Sequence, residues 1–122
     1  MIYKKFKLDY YEWDIYFLEV EDKSDLGRVK KVFKKLDIEE GNDICKEIKN
    51  DNQDGGWHFA DNNKRWSMIF LYRQPGKKER FRNISHEKRH MEDNILRWFN
   101  ITDKESAAIL SQNIAKLIYK LL

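Results

Sequence analysis

The stretch Asn83-Ile84-Ser85-His86-Glu87-Lys88-Arg89-His90-Met91-Glu92-Asp93 decides how the rest of the chain is read. It contains His-Glu-x-x-His, and its flanks follow a helical pattern. Histidines four apart on a helix share one face, about 6 Å apart along the axis. Both imidazoles can therefore reach one metal ion. Glu87 projects ~100° round the same cylinder, where it can touch a water without ligating the metal. A zinc hydrolase needs two nitrogen ligands, a third ligand from elsewhere, an open position and a carboxylate to take a proton. The expected cofactor is Zn²⁺, with His86 and His90 as ligands and Glu87 as general base.

The motif helix is expected from Lys78 to Phe99. Phe81, Ile84, Met91, Ile95, Trp98 and Phe99 form one apolar stripe at helical period. His86, His90 and Asp93 cluster on a face nearly opposite. Core packing would explain histidines inside the stripe. Off it, they occupy a face that is either solvent or a site. Lys88 and Arg89 stand where peptidase helices usually carry uncharged residues. Lys88 with Glu92, and Arg89 with Asp93, have the i,i+4 spacing of helical ion pairs.

The third ligand has several candidates. Glu105 opens the next helix, expected from Lys104 to the C-terminus, and fourteen residues separate it from His90. The same residue fits a capping box, Thr102-Asp103-Lys104-Glu105, in which it bonds back to the Thr102 amide. Both readings stand. Asp93, one turn beyond His90, is an alternative ligand or an acceptor for an imidazole N–H. His58, on a strand, is a further alternative. Tyr72 and Arg73, at the end of the strand before the motif helix, are candidates to stabilise an oxyanion.

The remaining chain predicts the frame around this helix. Strands are expected from Ile2 to Leu8 and from Tyr11 to Val20, with a break near Asp9. Ser24 is expected to cap a helix whose stripe is Leu26, Val29, Phe33 and Leu36, with lysines mainly on its other side. A second helix is expected from Glu39 to Lys49, weakened by Gly41. The polar run Asn50 to Gly56 reads as a loop; it lacks the spacing and closing Glu of an EF-hand. Trp57 to Ala60 and Arg65 to Tyr72 read as a hairpin. If the second of these strands is a sheet edge, an extended substrate could pair with it. The expectation is one α+β domain over residues 1–122, a small and mostly antiparallel sheet with about four helices, in the order β-β-α-α-β-β-α-α.

Composition limits the function classes. The 122 residues are 41% hydrophobic and 14% aromatic, enough for a core. Basic and acidic residues nearly balance, 24 against 21, and their even scatter argues against a nucleic-acid partner. No apolar run approaches the ~20 residues of a membrane helix, and no apolar segment follows the N-terminal lysines as in a signal peptide. The expected location is the cytoplasm, with no membrane partner. Cys45 is the single cysteine, so neither an internal disulfide nor a cysteine-based zinc site can form.

The run Ser85-His86-Glu87-x-Arg89-His90-x-x-Asp93-x-Ile95, followed by Glu105-x-Ala107-Ala108-x-Leu110, resembles a group of small, uncharacterised zincin-like proteins of Bacteroidetes and their mobile elements. The likeness is close over residues 84–115 and loose over the N-terminal strand and the hairpin. It implies a zincin-like fold, with His86, His90 and Glu105 as metal ligands and Glu87 as base. Ile109 and Ser111-Gln112 depart from the group, which tends there toward an aromatic and a small residue. The resulting expectation is a zinc-dependent hydrolase of minimal metallopeptidase type, acting on a peptide or protein. The alternative is a non-catalytic interaction protein on the same scaffold, its metal structural or absent.

Overall fold

A computed structural model describes residues 1–51 and 55–121. The loop expected over Asn50 to Gly56 thus falls in part, at residues 52–54, outside the described residues. The elements are β1 (Ile2–Leu8), β2 (Trp13–Val20), α1 (Leu26–Lys35), α2 (Gly41–Asp51), β3 (Gly55–Asp61), β4 (Trp66–Tyr72), α3 (Lys77–Trp98) and α4 (Lys104–Ile118). They follow the order expected from the sequence. The class is α+β, with one four-stranded sheet ordered β1-β2-β4-β3.

The sheet is mixed. β1 pairs antiparallel with β2, and β3 with β4, but β2 and β4 run parallel. β4 is therefore central, and the free edges are β1 and β3. This corrects the reading in which β4 is an edge open to substrate. All of β4 is buried, as a strand covered on both faces must be. Its serine hydroxyl has a reason: Trp13 Nε1 donates to Ser67 Oγ at 2.9 Å.

Side chains alternate across the sheet, and each face buries one helical layer. Leu18, Val20, Met68, Phe70 and Tyr72 pack with Val29 and Phe33 of α1 and Ile48 of α2. Trp13, Ile15, Phe17, Ile69 and Leu71 pack with Ile84, Met91 and Ile95 of α3 and Leu110 and Ile114 of α4. α2 begins at Gly41 rather than Glu39. Phe33 lies against that glycine; a Cβ there would stand 2.3 Å from Phe33 Cδ2. Ser24 does not cap α1. Asp22 instead accepts from the Ser24 N–H at 2.9 Å and starts a 3₁₀ turn, Lys23–Asp25, that leads into the helix.

α3 lies within one residue of the expected bounds at each end. Its buried face differs from the expected stripe. Ile84, Met91 and Ile95 are fully buried, but Phe81 is 50% and Trp98 46% exposed. Phe81 stacks on Tyr119 instead, at 5.6 Å between ring centroids. Glu87 and Lys88 join the buried face. No helix among the described residues is long and apolar enough to cross a membrane.

Candidate functional site

Three polar anchors fix α3 on the sheet. Near its start, Arg80 donates in bidentate fashion to Glu19 of β2, at 2.9–3.0 Å, and also to the Leu121 carbonyl. Asn83 donates to Gln74 at 2.6 Å, and Gln74 donates to the Gly55 carbonyl at 2.9 Å. Near the end of α3, Asn94 and Asn62 exchange amide hydrogen bonds at 2.7 and 3.2 Å. The last two anchors tie one flank of α3 to β3 and its turn.

The opposite flank belongs to α4. Ser85 Oγ meets Tyr119 OH at 3.1 Å, and Lys88 donates to Ser111 Oγ at 3.2 Å. Lys88 also forms the expected ion pair with Glu92, which accepts from Ser111 at 3.1 Å. At ~100° per residue, His86, His90, Asn83 and Asn94 fall in one arc of about 80°. Ser85, Lys88 and Glu92 fall in another, roughly opposite. The histidines thus lie on the flank toward β3, and α4 lies on the far flank.

His86 and His90 stand edge to face, with ring centroids 4.5 Å apart and Nε2 atoms 3.0 Å apart. Two nitrogens on one tetrahedral zinc ion would be separated by about 3.3 Å. The helix therefore brings the two imidazoles almost to that spacing. Glu87 Oε1 lies 4.0 Å from His86 Nε2. The glutamate is only 7% exposed. Burial pushes its carboxyl pKa up, and the two histidines draw it partly back down. A carboxylate with a raised pKa holds a proton more readily, which suits a general base working toward neutrality.

His58 enters from β3. It pairs in register with Ile69, so its side chain shares the sheet face on which α3 lies. Its Nε2 is buried and has no hydrogen-bond partner. Burial, and then the charge of His90, push its pKa down to about 4. Two residues before it in the strand, on the same face, Gly56 leaves room. A Cβ there would meet Leu71 Cδ2 at 3.0 Å, Glu87 Cγ at 3.5 Å and Asn83 Cβ at 3.6 Å. A cavity of about 420 Å³, lined by Gly55, Pro75, Glu79, Arg82, Asn83 and His86, opens beside the first turns of α3.

The other candidates lie elsewhere. Glu105 is exposed in the first turn of α4. Ser111, near Lys88 and Glu92, is six residues further on, so Glu105 lies about 9 Å beyond that level and on the far flank from the histidines. The expected box is displaced as well: Asp103, not Thr102, caps α4, accepting from the Ser106 N–H at 2.8 Å. Asp93 is exposed, and no described hydrogen bond or ion pair joins it to either histidine or to Arg89. Tyr72 is fully buried with the α1 and α2 core, on the sheet face away from α3. Arg73 is half-buried beyond the end of β4, its backbone N–H bonded to the Val20 carbonyl at 2.7 Å.

Among the described residues, no three His, Cys, Asp or Glu side chains converge as a ready metal-binding group. Of the third-ligand candidates His58, Glu105 and Asp93, only His58 has a described interaction with the pair, through the charge of His90. Gly56, Asn83 and the Asn62–Asn94 clasp were not singled out from the sequence. The Gly55-Gly56 pair before Trp57 is the signal that marks the first of them. No family model, curated protein or solved structure matches the chain.

Proposed function

We propose that the chain is a zinc-dependent hydrolase of minimal metallopeptidase type on a zincin-like fold. On this reading His86, His90 and His58 hold the ion, with His58 in the place first given to Glu105. The observation that carries it is the buried, unpartnered Nε2 of His58 on the strand facing the His86–His90 pair. A buried imidazole nitrogen without a partner calls for a ligand, and a polar atom of this kind is rare in a packed fold. Bound zinc would supply Lewis acidity at the substrate carbonyl.

The protein's own groups supply the rest. Glu87 takes a proton from the attacking water on its carboxylate and returns it to the leaving nitrogen. Its burial beneath Gly56 keeps bulk water from competing for that proton. β3, the free edge beside His58, replaces β4 as the strand with which an extended peptide pairs. The cavity at Arg82 and Glu79 then receives a side chain of that peptide.

The test measures zinc by mass spectrometry after dialysis and hydrolysis of a mixed peptide library. Unaltered protein and Glu87→Gln should retain equimolar zinc; His86→Ala should lose it; only unaltered protein should cleave. Failure of the unaltered protein to bind zinc at any concentration up to the millimolar range overturns the reading. The alternative, a non-catalytic interaction protein, draws on the lack of a ready three-ligand group among the described residues. Retained zinc without cleavage of any peptide would favour it.

A further inference from the structure

On the sheet face away from the histidines, α1 and α2 leave a groove between them. One part of it, a cavity of about 470 Å³, is lined by Lys23, Leu26, Gly27, Lys30, Cys45, Lys46 and Lys49. A second cavity, of about 640 Å³, shares Lys30 but carries the acids Asp37 and Glu39 in its lining, so the basic groove is the first cavity alone. We propose that this groove docks an acidic, amphipathic segment of a partner protein.

Three observations carry the proposal. The first is charge. The first cavity has four lysines on its rim and no acid among its lining residues. On α2, Asp43 and Glu47 fall about 120° and 160° from Lys49, while Asp43 is only about 60° from Lys46, by ~100° steps. Among the described residues, no ion pair engages Lys30, Lys34, Lys46 or Lys49. Like charges gathered round one concave site repel one another and raise the local concentration of anions. On a convex helix face they would simply be solvated.

The second observation is the floor, which is Leu26, Gly27 and Cys45. An apolar floor under a basic rim fits a segment that carries carboxylates outside and an apolar side chain inside. A phosphate backbone offers no such apolar side chain, and no aromatic ring lines this cavity for a base to stack on. The third observation is Gly27. It is exposed, and a Cβ on it would meet nothing within 4 Å, so a partner side chain can approach the α1 backbone there. α1 is about 15 Å long, a match for two to three turns of a partner helix laid in the groove.

The experiment uses the whole chain and a fluorescein-labelled synthetic helix of about twelve residues, with glutamates on one face and leucines on the other. Fluorescence anisotropy should show binding at low salt that weakens as salt rises. The Lys30→Glu/Lys46→Glu double variant should bind at least ~10-fold more weakly. Gly27→Leu, which fills the floor without touching the fold, should also lose binding. Lys120→Glu, remote from the groove, should bind as the unaltered protein does. His86→Ala should also bind normally, which separates this surface from the proposed metal site. Unchanged binding in the double variant, or in Gly27→Leu, overturns the proposal. So does tighter binding of a single-stranded DNA or of phosphatidylserine vesicles than of the acidic helix.

Discussion

His58 on β3 and His90 on α3 face one another closely enough across the strand–helix seam that the charge of His90 helps hold His58 neutral. The group's ordinary value is 6.5 and its value in the fold is about 4. Between those values the unfolded chain binds a proton that the folded chain does not. Stability from this histidine is therefore full above pH 6.5 and lost as pH falls toward 4. The gap is worth at most roughly 3 kcal/mol. Urea unfolding of metal-free protein, in a chelator, should show that slope. His58→Leu should flatten it, and an unchanged slope would contradict the placement of His58.

The choice between His58 and Glu105 as third ligand has a direct readout. His58→Ala should weaken zinc binding by about 10-fold or more, while Glu105→Ala should leave it as it was. Zinc at 100 times its Kd raises stability by about 2.7 kcal/mol, so thermal unfolding with and without zinc reports the loss. The opposite pattern would restore the glutamate.

Gly41 is predicted to be intolerant of any side chain. Its missing Cβ would sit 2.3 Å from a buried Phe33 ring carbon, and overpacking of this kind costs about 1–3 kcal/mol. Gly41→Ala should lower stability by that amount although alanine favours a helix over glycine by about 1 kcal/mol. Gly27→Ala on α1, where the space is open, should be neutral or stabilising. Chemical denaturation of the two variants side by side checks the contrast.

The Arg80–Glu19 pair should matter more than the surface ion pairs. Both side chains are largely buried, at 19% and 6% exposure, and they meet in bidentate geometry. Removing one partner strands a buried charge, at a cost of about 3–5 kcal/mol. Arg80→Ala should therefore unfold at markedly lower denaturant. Lys64→Ala, which breaks an exposed pair with Asp37, should shift stability by less than about 1 kcal/mol.

Helix period was the most legible signal. It located α3 and α4, and it placed His86 and His90 off the apolar stripe, where they indeed lie. Strand parity held information that length and composition did not. Tyr72 shares parity with Met68 and Phe70, so it had to point with them, away from the face that carries Ile69. The same parity sends His58 toward α3 while Trp57 and Phe59 go to the other core. What the sequence could not supply is the neighbour of each strand. Nothing local says that β2 meets β4, and only that pairing leaves β3 as the edge beside the histidines. The exposed position of Glu105 was hidden for a related reason: a short link predicts that two helices pack together, but not which flank the second one takes.

The parallel β2–β4 ladder joins Asp14 to Trp66 and Val20 to Tyr72. Those partners are far apart in the chain, so the ladder closes late. Loop-closure entropy must be overcome before any of its hydrogen bonds form, which slows folding. During synthesis the β1–β2 hairpin waits with the β2 edge unpaired as well as that of β1, and with Trp13, Ile15 and Phe17 uncovered. Such an edge invites association with other chains. Crowded or rapid expression should therefore favour aggregates seeded by the N-terminal hairpin, whereas the histidine flank, built from the consecutive β3, β4 and α3, does not wait for that ladder.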